Sequence, residues 1–377
     1  MRTFDVIVVG LGAMGSAIAF QLATHGFKVL GLEKFVLNHA NGSSHGGSRI
    51  IRTAVFPQPY QVPLVQRAFE LWSTIQAESG RNLMQLTGAL LFGLPESPLI
   101  TGCLASSRNY RLPYEILSSE EVAGRFPMFL PDKNEVAFCE KRAGILFPEE
   151  CIRAQVSLAE KRGAIFNFSE PVMSWNVNNS HVEVKTKKET YRADYAVFSP
   201  GAWLTTLMPE LRLPLQIERQ TVFWFNPQTN PVPFSPDMMP VFDWQTRERF
   251  YYGIPNVGNG VKVAVHHDGE LTSPDQIRRE ISEEDERPVR QFLKRHIPSL
   301  DGIPVSSTTC MYTNIPDDNF IIDFHPSYRN IVIVSACCGH GFKFSSAIGE
   351  VVQQMVQYGK TDLDISLFDI NRFDVTI

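Results

Sequence analysis

The chain has 377 residues, 44% of them hydrophobic and 20% charged, with a net charge of −5. Such a length accommodates about two domains with proper cores, and the acidic balance argues against non-specific nucleic-acid binding, which needs a basic face. No apolar run is long enough to span a membrane, and the six cysteines offer no C-x-x-C or zinc-like spacing. Free thiols, no metal and no membrane partner are therefore expected. The chain starts directly on a strand, leaving no room for a secretory signal, and ends without a Ser-Lys-Leu address, so a cytoplasmic location is expected.

Phe4 to Val9 is an apolar run, followed by Gly10-Leu11-Gly12-Ala13-Met14-Gly15, a helix over 16–27 and a second apolar run, Leu30-Gly31-Leu32-Glu33-Lys34. These make one βαβ unit with the G-x-G-x-x-G turn of a dinucleotide site. Gly10 permits the tight turn, Gly12 lets the backbone approach a pyrophosphate, and Gly15 lets helix and strand pack closely. The pyrophosphate is expected at the helix N-terminus, where unpaired N–H groups favour an anion. Glu33 is placed to accept hydrogen bonds from ribose hydroxyls.

Residues 38–49 form a glycine- and serine-rich loop that leads to Arg49 and Arg52. A helix is expected over 63–79 with Pro63 in its first turn, a strand over 85–93, and a helix from Pro148 to Gly163 followed by a strand over 164–168. Apolar runs fill 181–199. Strand signals dominate the middle, at 217–225, 249–253 and 261–266, and a charged helix is expected over 274–296. Near the end a buried strand, 331–334, precedes Gly339-His340-Gly341 and a helix from about Phe342.

Nucleotide-site elements at both ends with antiparallel-type strands between them give an α/β fold. A discontinuous Rossmann-like domain (1–84, 141–214 and 305–377) is interrupted by an α+β substrate domain (85–140 and 215–304), whose antiparallel sheet roofs the active site. The second glycine turn favours flavin, since a long cofactor can take a second helix N-terminus as an anion partner. Arg49 and Arg52, beside glycines, can aim guanidinium groups into a cleft.

Ser44-His45-Gly46-Gly47-Ser48-Arg49-Ile50-Ile51-Arg52, Lys262-Val263-Ala264-Val265-His266, Cys310-Met311-Tyr312-Thr313 and Gly339-His340-Gly341-Phe342-Lys343-Phe344 resemble the monomeric sarcosine oxidase and N-methyltryptophan oxidase family. The likeness runs over nearly the whole chain. It implies an FAD-binding domain of the glutathione-reductase type and FAD held covalently by Cys310 through the flavin 8α carbon. Taken alone, Cys310 reads as a small core residue; the link calls for a thiolate with cations nearby.

The resemblance places Arg52 and Lys343 on the substrate carboxylate, Lys262 over the flavin face where oxygen is reduced, and Arg49 as a second flavin-proximal cation. It places His266 beside the substrate amine, with Tyr252 and Tyr312 lining the same pocket. Cofactor contacts on this reading are Gly10, Gly12, Gly15, Glu33, Lys34, Ser43, Arg49, Cys310, Gly339, Gly341 and Lys343. His267 points the other way and reads as structural, and Cys337-Cys338 as packing. Ser44 and Gly47-Ser48 depart from the family's usual loop, which bears on the shape of the pocket.

The implied reaction is oxidation of an N-methyl or secondary amino acid, with a hydride equivalent passing to FAD. Dioxygen returns as hydrogen peroxide, and the imine hydrolyses to amine and aldehyde. The alternatives are an oxidase of a bulkier or cyclic amino acid (N-methyltryptophan, pipecolate, proline) and a flavin dehydrogenase with a non-oxygen acceptor. The expected partners are a small amino acid and dioxygen, and the expected state is a monomer.

Overall fold

The computed structural model describes residues 2–178 and 180–373. The first apolar run forms the strand Arg2–Val9, paired in parallel with Val29–Leu32 on one side and Thr190–Phe198 on the other. Ile165–Asn167 and Tyr328–Ser335 extend this sheet at either side, again in parallel. Antiparallel strands Val172–Asn178, His181–Thr186 and Ile321–His325 complete it. The second half of the central strand, Val6–Val9, is continuously apolar and buried because both faces are covered. Val6 and Val8 face the helices Ala13–Thr24, Val62–Ser79, Pro148–Lys161 and Ser345–Tyr358, while Ile7 and Val9 pack with Leu204 and Met208. Two of these helices touch backbone to backbone, since a Cβ on Gly349 would lie 2.6 Å from the Ala17 carbonyl oxygen.

A second sheet runs Leu271–Thr272, Gln216–Phe225, Val261–His266, Phe250–Ile254, Val241–Gln245, Ala89–Gly93, Val136–Glu140, Glu115–Ser118, with one parallel junction between Val241–Gln245 and Ala89–Gly93. Side chains alternate between its faces. Phe223, Phe225, Phe242, Trp244, Tyr251 and Val263 turn outward onto Val289, Phe292 and Leu293 of the helix Glu283–His296. On the opposite face, Val222, Asp243, Tyr252 and His266 roof a cavity. A small third sheet, Arg49–Arg52, Ala143–Leu146 and Met84–Leu86, closes one side.

Four expectations need correction. The strand expected over 85–93 is two strands in different sheets, broken where the Thr87 and Gly88 N–H groups both go to the Ala143 carbonyl. The helix expected over 274–296 starts only at Glu283, behind a Ser282–Asp285 capping box. Arg219 takes the carbonyls of Arg278 and Glu280, which an earlier helix start would have used. The C-terminal helix begins at Ser345, after a 3-10 turn over Gly341–Phe344. Ser306–Asn314, placed by sequence in the cofactor segment 305–377, pairs along Gln216–Phe225 and so belongs to the second sheet. Among the described residues no helix is long and apolar enough to cross a membrane.

Candidate active site

Gly10 turns with φ +86°, and a Cβ there would come within 2.6 Å of the Ser199 carbonyl oxygen. A Cβ on Gly15 would lie 1.7 Å from the Gly10 carbonyl oxygen, so helix and turn meet only because that position is bare. Gly12 differs: its Cβ would meet only Ser44 Oγ, at 3.5 Å, leaving room for a ligand. The helix that follows has no acid in its first turn and no cap from its own N-cap residue; of its first N–H groups, that of Ala13 meets Ser44 Oγ at 3.3 Å. Buried Glu33 accepts from Leu11 N–H at 2.8 Å and Phe35 N–H at 2.9 Å, and His39 Nε2 lies 3.5 Å from its Oε1. Lys34 lines the same cavity, its Nζ 2.8 Å from Asp275 and over the Trp203 ring, both of which line it too.

From this cradle one cavity of about 670 Å³ runs past Ser43, His45 and Arg49 to Cys310, Tyr312 and the Gly339–Lys343 turn. Its length and its bare-glycine opening fit a dinucleotide carrying a flavin.

The loop before Arg49 is held from every side. Glu149 accepts from the Gly46 and Gly47 N–H groups at 2.8 and 3.1 Å. Arg49 donates to the carbonyls of Ser43, His45 and Ser48, and Arg279 to those of Ala40 and Asn41. Lys262, 2% exposed, points its Nζ at Gly46 O (2.8 Å), Ser48 O (2.9 Å) and Ser48 Oγ (3.4 Å). It therefore stands behind the loop, one layer back from the cavity wall. Burial, then Arg49, push its ammonium well below the ordinary lysine range. Burial, Arg49 and Lys262 likewise hold His45 down to about 3, so the imidazole is neutral, with its Nε2 unpartnered among the described residues.

At the far end, Arg52 Nε meets Asp243 Oδ2 at 3.1 Å, both side chains being buried. Arg52 Nη1 donates to the Ala54 carbonyl, and Nη2 has no acceptor among the described residues. Lys343 spends one of its three donors on His340 O, at 2.7 Å. Burial and Arg52 push its ammonium down, and Asp243 pulls it back up. His266 Nδ1 and Tyr312 OH share a hydrogen bond of 3.1 Å. Burial, with His267, His340 and Lys343 near, keeps that imidazole far below its usual range and hence neutral. Tyr252, edge-on to the His266 ring, has its phenol pushed up to about 12, chiefly by burial.

Gly339 passes against this pair with φ +68°, and a Cβ there would lie 2.6 Å from His266 Cε1 and 2.7 Å from Tyr312 Cε2. Gly341 packs as closely, 1.8 Å between its would-be Cβ and Ala336 O. Cys310, 6% exposed, makes only long contacts of 3.8 Å to the Ser43 and Met311 carbonyls. His267 is bound to Glu218 at 3.1 Å while still lining the cavity. Cys337 lines the cavity too, whereas buried Cys338 is turned toward the Asn319 carbonyl.

Sequence reasoning missed Asp243, Glu149 and His45. Asp243 carried a signal: in Phe242-Asp243-Trp244-Gln245 it alternates with two core aromatics, which puts an acid on the cavity face. Glu149 carried none, because its partners are backbone N–H groups of a distant loop.

A nucleotide cradle under a parallel sheet, with buried cations beneath the roof of a second sheet, defines a dinucleotide-dependent oxidoreductase. The FAD dependent oxidoreductase (DAO) family model matches residues 5–355, and the chain belongs to this family. Among its relatives, the monomeric sarcosine oxidase of Streptomyces avermitilis is 40% identical over 376 residues, 98% of each chain. The N-methyl-L-tryptophan oxidase of Yersinia pestis is 31% identical, covering 98% of this chain and 99% of its own. In fold, the L-proline dehydrogenase of P. horikoshii superposes with a TM-score of 0.87 at 22% identity, covering 99% of this chain and 98% of its own.

Proposed function

We propose that this FAD-dependent enzyme is an oxidase of N-methyl or secondary amino acids of the sarcosine type, with dioxygen as the electron acceptor. The observation that carries the reading is the pair of buried cations at one end of the cofactor cavity. Arg52 Nη2 and Lys343 Nζ both keep donors unspent there. A fork and a point charge in a desolvated site suit a carboxylate, and an incoming carboxylate favours the charged form of Lys343.

When bound, FAD supplies the two-electron acceptor for the C–H bond beside the amine nitrogen. The amine has to be neutral to give up a hydride equivalent. His266, hydrogen-bonded to Tyr312 beside this site, assists that step by electrostatics or proton exchange. Lys262 and Arg49 put positive charge behind the loop, where negative charge develops on oxygen. Cys310, at the cavity wall within electrostatic reach of Lys262, would hold the bound cofactor as a thioether to its 8α carbon. Glu33 would hold the ribose, and the turn through Gly10, Gly12 and Gly15 the pyrophosphate.

The reading includes a single-chain enzyme acting in the cytoplasm. It keeps the domain division at 1–84, 141–214 and 305–377 against 85–140 and 215–304, with Ser306–Asn314 crossing to the second sheet. Bulkier or cyclic amino acids, and a non-oxygen acceptor, are the alternatives.

The test is acid precipitation of the purified protein, then anaerobic addition of N-methyl and cyclic amino acids to a native sample. Yellow colour in the pellet and bleaching by one of these amines are expected. No bleaching by any of them overturns the reading.

A further inference from the structure

Resting on that reading, we propose that Asp243 is a specificity-determining residue whose free carboxylate oxygen receives a second, cationic group carried by the substrate, beyond the amine that is oxidised. Its Oδ2 is spent on Arg52 Nε, at 3.1 Å. Its Oδ1 has no partner among the described residues and is not among the sealed, unpartnered polar atoms, so it faces the cavity that Asp243 lines. A carboxylate left in a water-excluded site without a donor is costly. Once cofactor and substrate fill the cavity, the substrate is the source of that donor.

Charge balance points the same way. Arg52 also lies in the field of Glu140, 2% exposed, which accepts from the Thr53 and Ala54 N–H groups at 2.8 and 2.9 Å. Arg52 thus stands between two buried carboxylates, Asp243 and Glu140, of which only Asp243 lines the cavity. The neighbouring His266 and His340 are held neutral, chiefly by burial. Before a substrate arrives, the Asp243 carboxylate and the Arg52 guanidinium are already paired with each other. The substrate carboxylate brings a further negative charge beside Asp243, and a second ammonium or guanidinium on the same substrate offsets it. The carboxylate has Arg52 Nη2 and Lys343 to go to, and the second cation has Asp243 Oδ1.

The test is anaerobic flavin reduction by the holoenzyme with α-N-methyl-L-lysine against α-N-methyl-L-norleucine, and α-N-methyl-L-ornithine against α-N-methyl-L-norvaline, with sarcosine as reference. The expected result is a reduction efficiency at least about tenfold higher for the cationic member of one pair, equivalent to about 1.4 kcal/mol. In Asp243→Asn and Asp243→Ser that ratio falls toward one. A ratio near one in the wild type overturns the inference, as does a ratio that survives both substitutions. A loss shared equally by all five amines in the variants overturns it too, since it marks support of Arg52 and not contact with a second cation. If the variants do not fold, the wild-type ratio decides. Bleaching by sarcosine without the preference removes this inference alone; no bleaching by any of the five removes the amine-oxidase reading with it.

Discussion

Lys262 and Arg49 converge on one oxygen: the Ser48 carbonyl accepts from Lys262 Nζ at 2.9 Å and from Arg49 Nη1 at 2.7 Å. Two cations that would repel are held together by the carbonyls of a single loop. They concentrate positive potential at the cavity wall, and they tie the second sheet to the nucleotide-binding layer.

Lys262→Met is expected to leave flavin reduction by substrate largely intact while slowing reoxidation by dioxygen about 10²–10³-fold, the usual cost of removing one preorganised charge. Stopped-flow mixing of the reduced enzyme with oxygen measures this directly. Equal slowing of both half-reactions would assign Lys262 to holding the loop alone.

Cys310→Ala removes a side chain with only two long contacts, so the fold is expected to survive. Its flavin should leave with the acid supernatant, where that of the wild type stays in the pellet. Colour retained in the variant pellet rules out the thioether.

His45 links stability to pH. Its folded value is about 3 against an ordinary 6.5, so between these values the unfolded chain binds a proton that the folded chain refuses. Stability therefore falls as pH drops below about 6.5, by up to about 1.4 kcal/mol per unit from this group. Urea titrations at pH 7, 6 and 5 should show a shallower slope for His45→Gln than for the wild type.

Gly12 and Gly15 separate ligand binding from folding. Gly15→Ala drives a Cβ into the Gly10 carbonyl, and a cost of about 1–3 kcal/mol or more is expected in the flavin-free protein. Gly12→Ala finds open space beside Ser44, so the Tm of the flavin-free protein is expected to stay put while FAD affinity drops about tenfold or more. Thermal melts with and without FAD distinguish the two.

What the sequence determined by itself is local. The βαβ unit, the glycines of both turns, Pro63 and Pro148 opening their helices, and the period-two placing of Lys262 and His266 on one strand face are written in contiguous residues. Turn chemistry and side-chain alternation act over a few positions, so they survive being read without a fold. Pairings made across the chain are another matter. Lys262 meets Gly46 across 216 positions, Asp243 meets Arg52 across two sheets, and Arg219 takes the carbonyls that an earlier helix start would have used. Strand signal at Ser306–Asn314 is equally compatible with either sheet, and only register against Gln216–Phe225 decides between them. Tertiary structure decided these because long-range hydrogen bonds and buried charges are chosen by which surfaces meet, and no local pattern encodes that meeting.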